Sequence, residues 1–318
     1  MNDSDVIDGL ADAGFSHQPV MVHEIVEAFA PVPAGFVFDA TVGGAGHAEA
    51  LLRAHAHLGI LAIDRDAEAL EAAKRRLAPF GNRANLQHRR FDDVDAAVEQ
   101  AGLSDISGAL FDLGVSSFQF DTGRRGFSYR HDAPLDMRMD LRDSLTASII
   151  VNEWSDAEIA EILQNYGDER FAWRIARSMV AARPIRTTGE LAAIVAGAIP
   201  APARRRGGHP AKRTFQALRI AVNRELEILP TALDRAIGRT APGGRVLVLS
   251  YHSGEDRLVK ERFAFHVTGG CSCPEHLPCA CGARPSARRL RLPSRPTESE
   301  RAHNPRSSSA RLRAIEVL

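Results

Sequence analysis

An α/β domain interrupted by a mainly helical insertion is the fold this sequence predicts, from three observations. Between residues 36 and 114, short β-rich apolar runs alternate with amphipathic stretches rich in Ala, Glu, Lys and Arg, the pattern of a parallel sheet with helical crossovers. The first run ends in Asp39-Ala-Thr41-Val-Gly43-Gly44-Ala45-Gly46-His47, answered about twenty residues on by Ile63-Asp64, as in a nucleoside-binding βαβ unit. After Gly114 the alternation stops, and an apolar strand pattern returns only at 244–250.

In order, strands are predicted over 36–41, 59–64, 85–91 and 108–113, and helices over 46–55, 67–80 and 94–102. A Gly/Arg-rich loop over 121–130 leads into helices within 146–182, around Trp154, Tyr166, Phe171 and Trp173, and a further helix over 188–199. The Pro- and Arg-rich loop 200–210 precedes one long helix from Thr214 towards Arg239. The turn Pro242-Gly243 opens the strand 244–250, and strand-like pieces over 288–292 and 312–318 follow. This places the α/β domain at 1–124 and 226–318 and the inserted helical domain, expected to recognise substrate, at 125–225.

The glycine turn lets backbone approach a ligand where a side chain would clash, and an acid at position 64 can accept ribose hydroxyls. The dinucleotide fingerprint is incomplete, because Glu49 stands where its third glycine belongs. An acid there is a poor neighbour for a pyrophosphate. A ligand with a ribose and no phosphates fits better, S-adenosylmethionine being the common one; the alternative is an ordinary tight turn.

In open parallel sheets, ligands lie beyond the carboxyl ends of the strands. Those ends are Asp39-Ala-Thr41, Asp64, Phe91-Asp92 and Asp112-Leu-Gly114-Val-Ser-Ser117. Phe91 offers a face to an adenine, or belongs to the core. Asp112 follows an apolar run, where a charge without a partner is costly, so it is a candidate for binding or catalysis, or else a cap. Methylation of a pyrimidine carbon normally needs a cysteine nucleophile nearby, and no cysteine precedes Cys271. An exocyclic amine needs none: hydrogen bonds from its N–H groups to Asp112 or nearby carbonyls would localise the lone pair for in-line attack.

Net charge is zero, but it is segregated. Residues 1–198 carry 18 Lys/Arg against 30 Asp/Glu, and residues 199–318 carry 22 against 10. A basic half, nearly all Arg, is the footprint of a polyanion-binding face; a solvated surface with biased codon usage is the plainer account. There is no basic-then-apolar leader, and the longest apolar stretch, 192–203, is broken by Gly197, Pro200 and Pro202. A cytoplasmic protein with no membrane partner is expected. The four cysteines, Cys271, Cys273, Cys279 and Cys281, form two C-x-C pairs with His276 between them. A structural zinc site, a disulfide and plain thiols all remain open, and no metal is assigned from sequence.

Phe38-Asp-Ala-Thr41 through Gly46-His47, Ala62-Ile-Asp64-Arg65-Asp66, Asp112-Leu-Gly-Val-Ser-Ser117, Gly126-Phe-Ser128, Pro134-Leu-Asp-Met-Arg-Met-Asp140, Tyr166-Gly-Asp-Glu-Arg-Phe171, His209-Pro-Ala-Lys-Arg-Thr-Phe-Gln216 and His252-Ser-Gly-Glu-Asp-Arg257 occur in that order. Together they closely resemble the bacterial 16S rRNA (cytosine-N4)-methyltransferase family, the MraW proteins, from His17 to Arg306. The resemblance implies a class I, Rossmann-like fold dependent on S-adenosylmethionine. It implies methylation of a cytosine N4 amine in the decoding centre of the small (30S) ribosomal subunit. It places cofactor contacts on Ala45, Gly46, His47, Asp64, Phe91, Asp112 and Gln119, with Asp112 also the catalytic candidate. The family usually has glycine at position 45, proline at 118 and an apolar residue at 254, where this chain has Ala45, Phe118 and Gly254. Asp136-Met-Arg138 and Lys212-Arg213 are candidates for rRNA phosphate, the Asp–Arg pair being equally a structural salt bridge. His252 either approaches the target base or is a hydrogen-bonded structural residue. A DNA amino-methyltransferase would usually show Asp/Asn-Pro-Pro-aromatic, which Asp112-Leu-Gly-Val does not match; a non-catalytic assembly factor is the third possibility.

Overall fold

The apolar runs become strands covered on both faces, as a parallel sheet demands. The computed structural model describes residues 19–114, 123–204, 208–274 and 280–318. Strands β1 (Gly35–Asp39), β2 (Leu58–Asp64), β3 (Ala84–His88), β4 (Ile106–Asp112), β5 (Thr240–Ser250), β6 (Ala287–Arg289) and β7 (Arg311–Val317) form one sheet in the order β3-β2-β1-β4-β5-β7-β6. The first five are mutually parallel; β7 is antiparallel to both its neighbours.

Alternate residues serve opposite faces. Val37, Ile60, Ala62, Leu110 and Leu247 pack with Ile25 and Phe29 of α1 (Val22–Phe29), Leu51 of α2 (Gly46–Ala54) and Leu77 of α3 (Ala67–Leu77). Phe38, Leu61, Ile63, Phe111 and Val248 pack on the other face with Val98 of α4 (Val94–Gln100). A third buried cluster runs from Phe127 to Val222 and is built by α5 (Ala147–Glu153), α6 (Asp156–Gly167), α7 (Ala172–Ala181), α8 (Thr188–Ala198), the single turn α9 (Ala201–Arg204) and α10 (Lys212–Asn223). Helices α11 (Glu225–Arg239) and α12 (Ser253–Thr268) then cover the second face of the sheet, and α13 (Glu298–His303) precedes β7.

The sequence expectations need four corrections. Helix α1 was not expected; its eight residues bury Ile25, Ala28 and Phe29. The long helix over 214–239 is two helices, broken at Arg224, whose φ of +54° closes α10 and opens α11. Tertiary bonds hold that break: Asn223 Nδ2 donates to Met137 O and its Oδ1 accepts from Met139 N, both at 2.8 Å. The third strand stops at His88, leaving Phe91 beyond it. The Pro242-Gly243 turn lies inside β5, as an irregularity between the Ile106↔Thr240 and Gly108↔Arg245 pairings.

The segment between β4 and α11 is moored over the carboxyl end of the sheet. Arg65, just past β2, reaches Asn223 O at 2.8 Å and Asp143 Oδ2 at 2.5 Å. Arg125 pairs with Asp66 Oδ2 at 2.5 Å and donates to the carbonyls of Arg138 and Met139. Among the described residues, no helix is long and apolar enough to cross a membrane.

Candidate functional site

Three carboxylates stand where β1, β2 and β4 end, because each strand is apolar up to its last residue and then meets an acid: Asp39, Asp64 and Asp112. Asp39 is 2% exposed and accepts Thr41 N–H at 3.1 Å. Thr41 in turn accepts Asp112 N–H on Oγ1 at 2.8 Å, stitching the first loop to β4. Asp64 accepts Gly43 N–H on Oδ2 and Asp66 N–H on Oδ1, both at 2.9 Å, so it braces the glycine turn from the neighbouring strand. Each oxygen keeps a lone pair for a further donor.

Electrostatics mark the same cluster. Burial pushes Asp39 up to about 7; the Thr41 N–H opposes the rise, and the charges of Asp112 and Asp64 add to it. Burial pushes Asp64 up to about 6 despite the backbone N–H groups that stabilise its charge. Crowded, desolvated acids favour a cationic ligand, since a nearby positive charge restores their ionised forms.

The turn itself explains the glycines. Gly43 has φ +48° and Ala45 φ +59°, so position 45 is left-handed, the conformation a glycine adopts without strain. Gly46 opens α2, and a Cβ there would stand 2.3 Å from Pro19 Cγ. Glu49 is buried and forms salt bridges with Arg53 at 2.7 Å and with Arg76, which also holds Gly44 O at 3.0 Å. The Arg that touches the turn is thus already neutralised by an internal carboxylate. This suits a ligand without phosphates.

His47 projects from α2 with Nε2 2.8 Å from Val20 O. A carbonyl only accepts, so Nε2 carries hydrogen, and Nδ1 faces Asp112 Oδ2 at 3.5 Å. The other carboxylate oxygen, Oδ1, accepts the Tyr251 hydroxyl at 2.7 Å. Burial first, then the Asp112 charge, hold the Tyr251 phenol well above its ordinary range, so it stays protonated as a donor. Asp112 is therefore oriented by the hydroxyl at the end of β5, with the His47 ring of α2 lying beside its other oxygen. Asp39 and Tyr251 were not assigned roles from sequence: Asp39 lay inside a recognised motif, and Tyr251 follows an apolar strand much as a core residue would.

Other expected residues divide cleanly. Phe91 is half-buried and meets Phe111 edge-on, ring centroids 6.3 Å apart, so part of its surface belongs to the core. His252 caps α12: its Nδ1 accepts Glu255 N–H at 3.4 Å, and Nε2 lies 3.1 Å from Glu255 Oε1. Burial would raise Glu255, but His252 and Arg219 hold it below the usual range. Arg138 is bound bidentately by Asp136 and also donates to the carbonyls of Leu141 and Asp143, the structural salt bridge of the two alternatives. Arg213 donates to Asp168 O at 2.8 Å. Gln119, with residues 115–118, lies outside the described residues.

A cleft of about 340 Å³ opens between the end of α6 and the start of α12, lined by Asn165, Tyr166, Asp168, Ser253, Arg257 and Lys260. Ser253 Oγ donates to Asp168 Oδ2 across it at 2.7 Å. Ser253 follows Tyr251 by two residues, and the lining of the cleft includes none of Asp39, His47, Asp64, Asp112 and Tyr251.

Residues 14–318 match the model of the MraW methylase family. The chain is 51% identical over 310 residues to "Ribosomal RNA small subunit methyltransferase H" of Symbiobacterium thermophilum, covering 96% of this chain and 97% of that one. It is 50% identical over 311 residues to the protein of that name from Heliobacterium modesticaldum, covering 96% and 99%. The Thermobifida fusca protein of that name is 50% identical over 309 residues, covering 95% and 93%.

Proposed function

The chain belongs to the MraW methylase family, and on that premise we propose that it transfers a methyl group from S-adenosylmethionine to 16S rRNA of the small ribosomal subunit, at the N4 amine of a cytosine in the decoding centre. The observation that carries the proposal is Asp112 at the end of β4, its carboxylate held by the Tyr251 hydroxyl beside the His47 ring. It presents a hydrogen-bond acceptor to an amine, and the neighbouring strand ends offer further carboxylates to a cationic cofactor.

When bound, the cofactor supplies a methyl group on a sulfonium. Asp64 takes the ribose hydroxyls with the lone pairs that Gly43 and Asp66 leave over. Ala45, Gly46 and His47 line the approach to the turn, Phe91 turns its free face to the adenine, and Gln119 completes the set. Asp39, raised to about 7 by burial, would ionise beside a cationic cofactor and add negative charge to the cluster. Asp112 accepts an N–H of the target amine and so directs its lone pair, while Tyr251 keeps the carboxylate from rotating. Positioning and exclusion of water do most of the work.

The segment 125–225 acts as the substrate-recognition domain, and the cleft beside Tyr166 and Ser253 receives the nucleotide around the target. The Arg-rich half from 199 onward meets rRNA phosphate, with Lys212 among the contacts. The protein works in the cytoplasm. The test is transfer of labelled methyl groups to unmethylated 30S subunits, free 16S rRNA and DNA. Labelling of a cytosine N4 in subunits is expected; transfer to DNA but not to subunits overturns the proposal.

A further inference from the structure

The segment joining α12 to β6 is anchored where it leaves the fold and where it returns. Gly270 N donates to Phe265 O at 3.0 Å and Cys271 N to Thr268 O at 3.2 Å; on the return, Ser286 N donates to His266 O at 2.9 Å. Gly269 has φ +63°, and a Cβ on it would stand 2.4 Å from the Arg284 carbonyl carbon, so the outgoing and returning backbones touch. Beyond these anchors, three cysteines distant from the Asp112 cluster in sequence converge. The sulfurs of Cys271, Cys273 and Cys281 all lie within 4.8 Å of one another. Cys271 and Cys281 are 3.6 Å apart, Sγ to Sγ. Cys273 N–H points at Cys271 Sγ, 3.4 Å away.

Each of these features suits a soft cation. Tetrahedral zinc with bonds of about 2.3 Å sets its sulfur ligands about 3.8 Å apart, close to the spacing already present. An N–H directed at sulfur favours the thiolate, the form that binds metal. The C-x-C spacing makes that bond local, and the crossing at Gly269 and Arg284 returns the third cysteine to the first two.

We propose that Cys271, Cys273 and Cys281 bind a structural zinc ion that staples the excursion between α12 and β6. Three S–H bonds break as three Zn–S bonds form, and the protons pass to solvent. The fourth position takes water or another ligand; Cys279 lies outside the described residues and is not counted among the ligands. No redox step is involved.

The experiment is metal analysis of tag-free full-length protein, reconstituted with Zn(II) under reducing conditions and passed over a chelating resin. About one zinc per chain is expected, falling roughly tenfold in Cys271→Ser and Cys281→Ser variants whose circular dichroism matches the parent. As a check that needs no variant, Co(II) substitution of the parent should give a thiolate-to-cobalt charge-transfer band in the near ultraviolet. Parent protein without zinc, copper bound in its place, variants that keep a full equivalent, or a cobalt form lacking the charge-transfer band would each overturn the proposal.

Discussion

Tyr251 donates its phenolic hydrogen to Asp112 Oδ1 at 2.7 Å, joining the end of β5 to the end of β4. A buried hydrogen bond to a charged group contributes about 1.5–3 kcal/mol. Tyr251→Phe is therefore expected to slow single-turnover methyl transfer by roughly 10–100-fold, while the calorimetric affinity for S-adenosylmethionine stays within about twofold. A variant that loses cofactor affinity and keeps its transfer rate would instead make Tyr251 part of the cofactor pocket.

Asp64 holds the glycine turn through Gly43 and has acceptor capacity left for a diol. Asp64→Ala should weaken cofactor binding by roughly 1–3 kcal/mol. Isothermal titration calorimetry measures this directly, and an unchanged affinity would reject the ribose assignment.

Asp39, at about 7, and Asp64, at about 6, make cofactor binding depend on pH. A cation prefers the ionised carboxylates, so affinity should rise from pH 6 to pH 8, with proton release visible in buffers of different ionisation enthalpy. The free protein behaves oppositely. Both carboxyls bind protons more tightly when folded than unfolded; their stabilising contribution is complete below about pH 4 and lost as pH rises through 6 and 7. Asp39→Asn keeps an oxygen for Thr41 N–H and removes the charge. It should exceed the parent in stability by up to about 4 kcal/mol at pH 8, with the gap closing toward pH 4, and should bind cofactor more weakly. Equal unfolding midpoints at pH 8 would contradict this.

Asn223 is 1% exposed, and its side chain bonds Met137 O, Met139 N and Arg219 O while its carbonyl receives Arg65. Truncation leaves buried backbone groups without partners, each costing about 1–3 kcal/mol. Asn223→Ala should lower the urea midpoint accordingly. A midpoint unchanged from the parent would mean that water or the Arg224 turn replaces these bonds.

Most of the sheet was legible because parallel strands covered on both faces must be continuous apolar runs, and β1, β2 and β4 are. The acids at their ends stood out for the same reason: Asp64 and Asp112 interrupt hydrophobic sequence. Tyr251 was invisible because an aromatic after an apolar strand carries no mark of the carboxylate it will meet from another strand. The break at Arg224 has neither glycine nor proline to announce it, since contacts from Met137 and Met139, far away in sequence, impose it. For His252 the structural alternative holds, though its particular role as a cap was hidden, as histidine is not among the preferred cap residues.

The pairing of β4 with β5 brings Asp112 beside Leu249, and β7 adds residues 311–317 on the far side of β5. Such pairings close very long loops, whereas within the segment from Phe127 to Val222 α6 packs on α7 and α7 on α8, the next helix in the chain, and α10 returns to α6. Loop-closure entropy makes nonlocal strand pairing slow relative to local helical assembly. Asp112 can meet Tyr251 only once β4 and β5 have paired across the whole intervening segment, so the reactive geometry reports that this longest of the sheet's closures is complete.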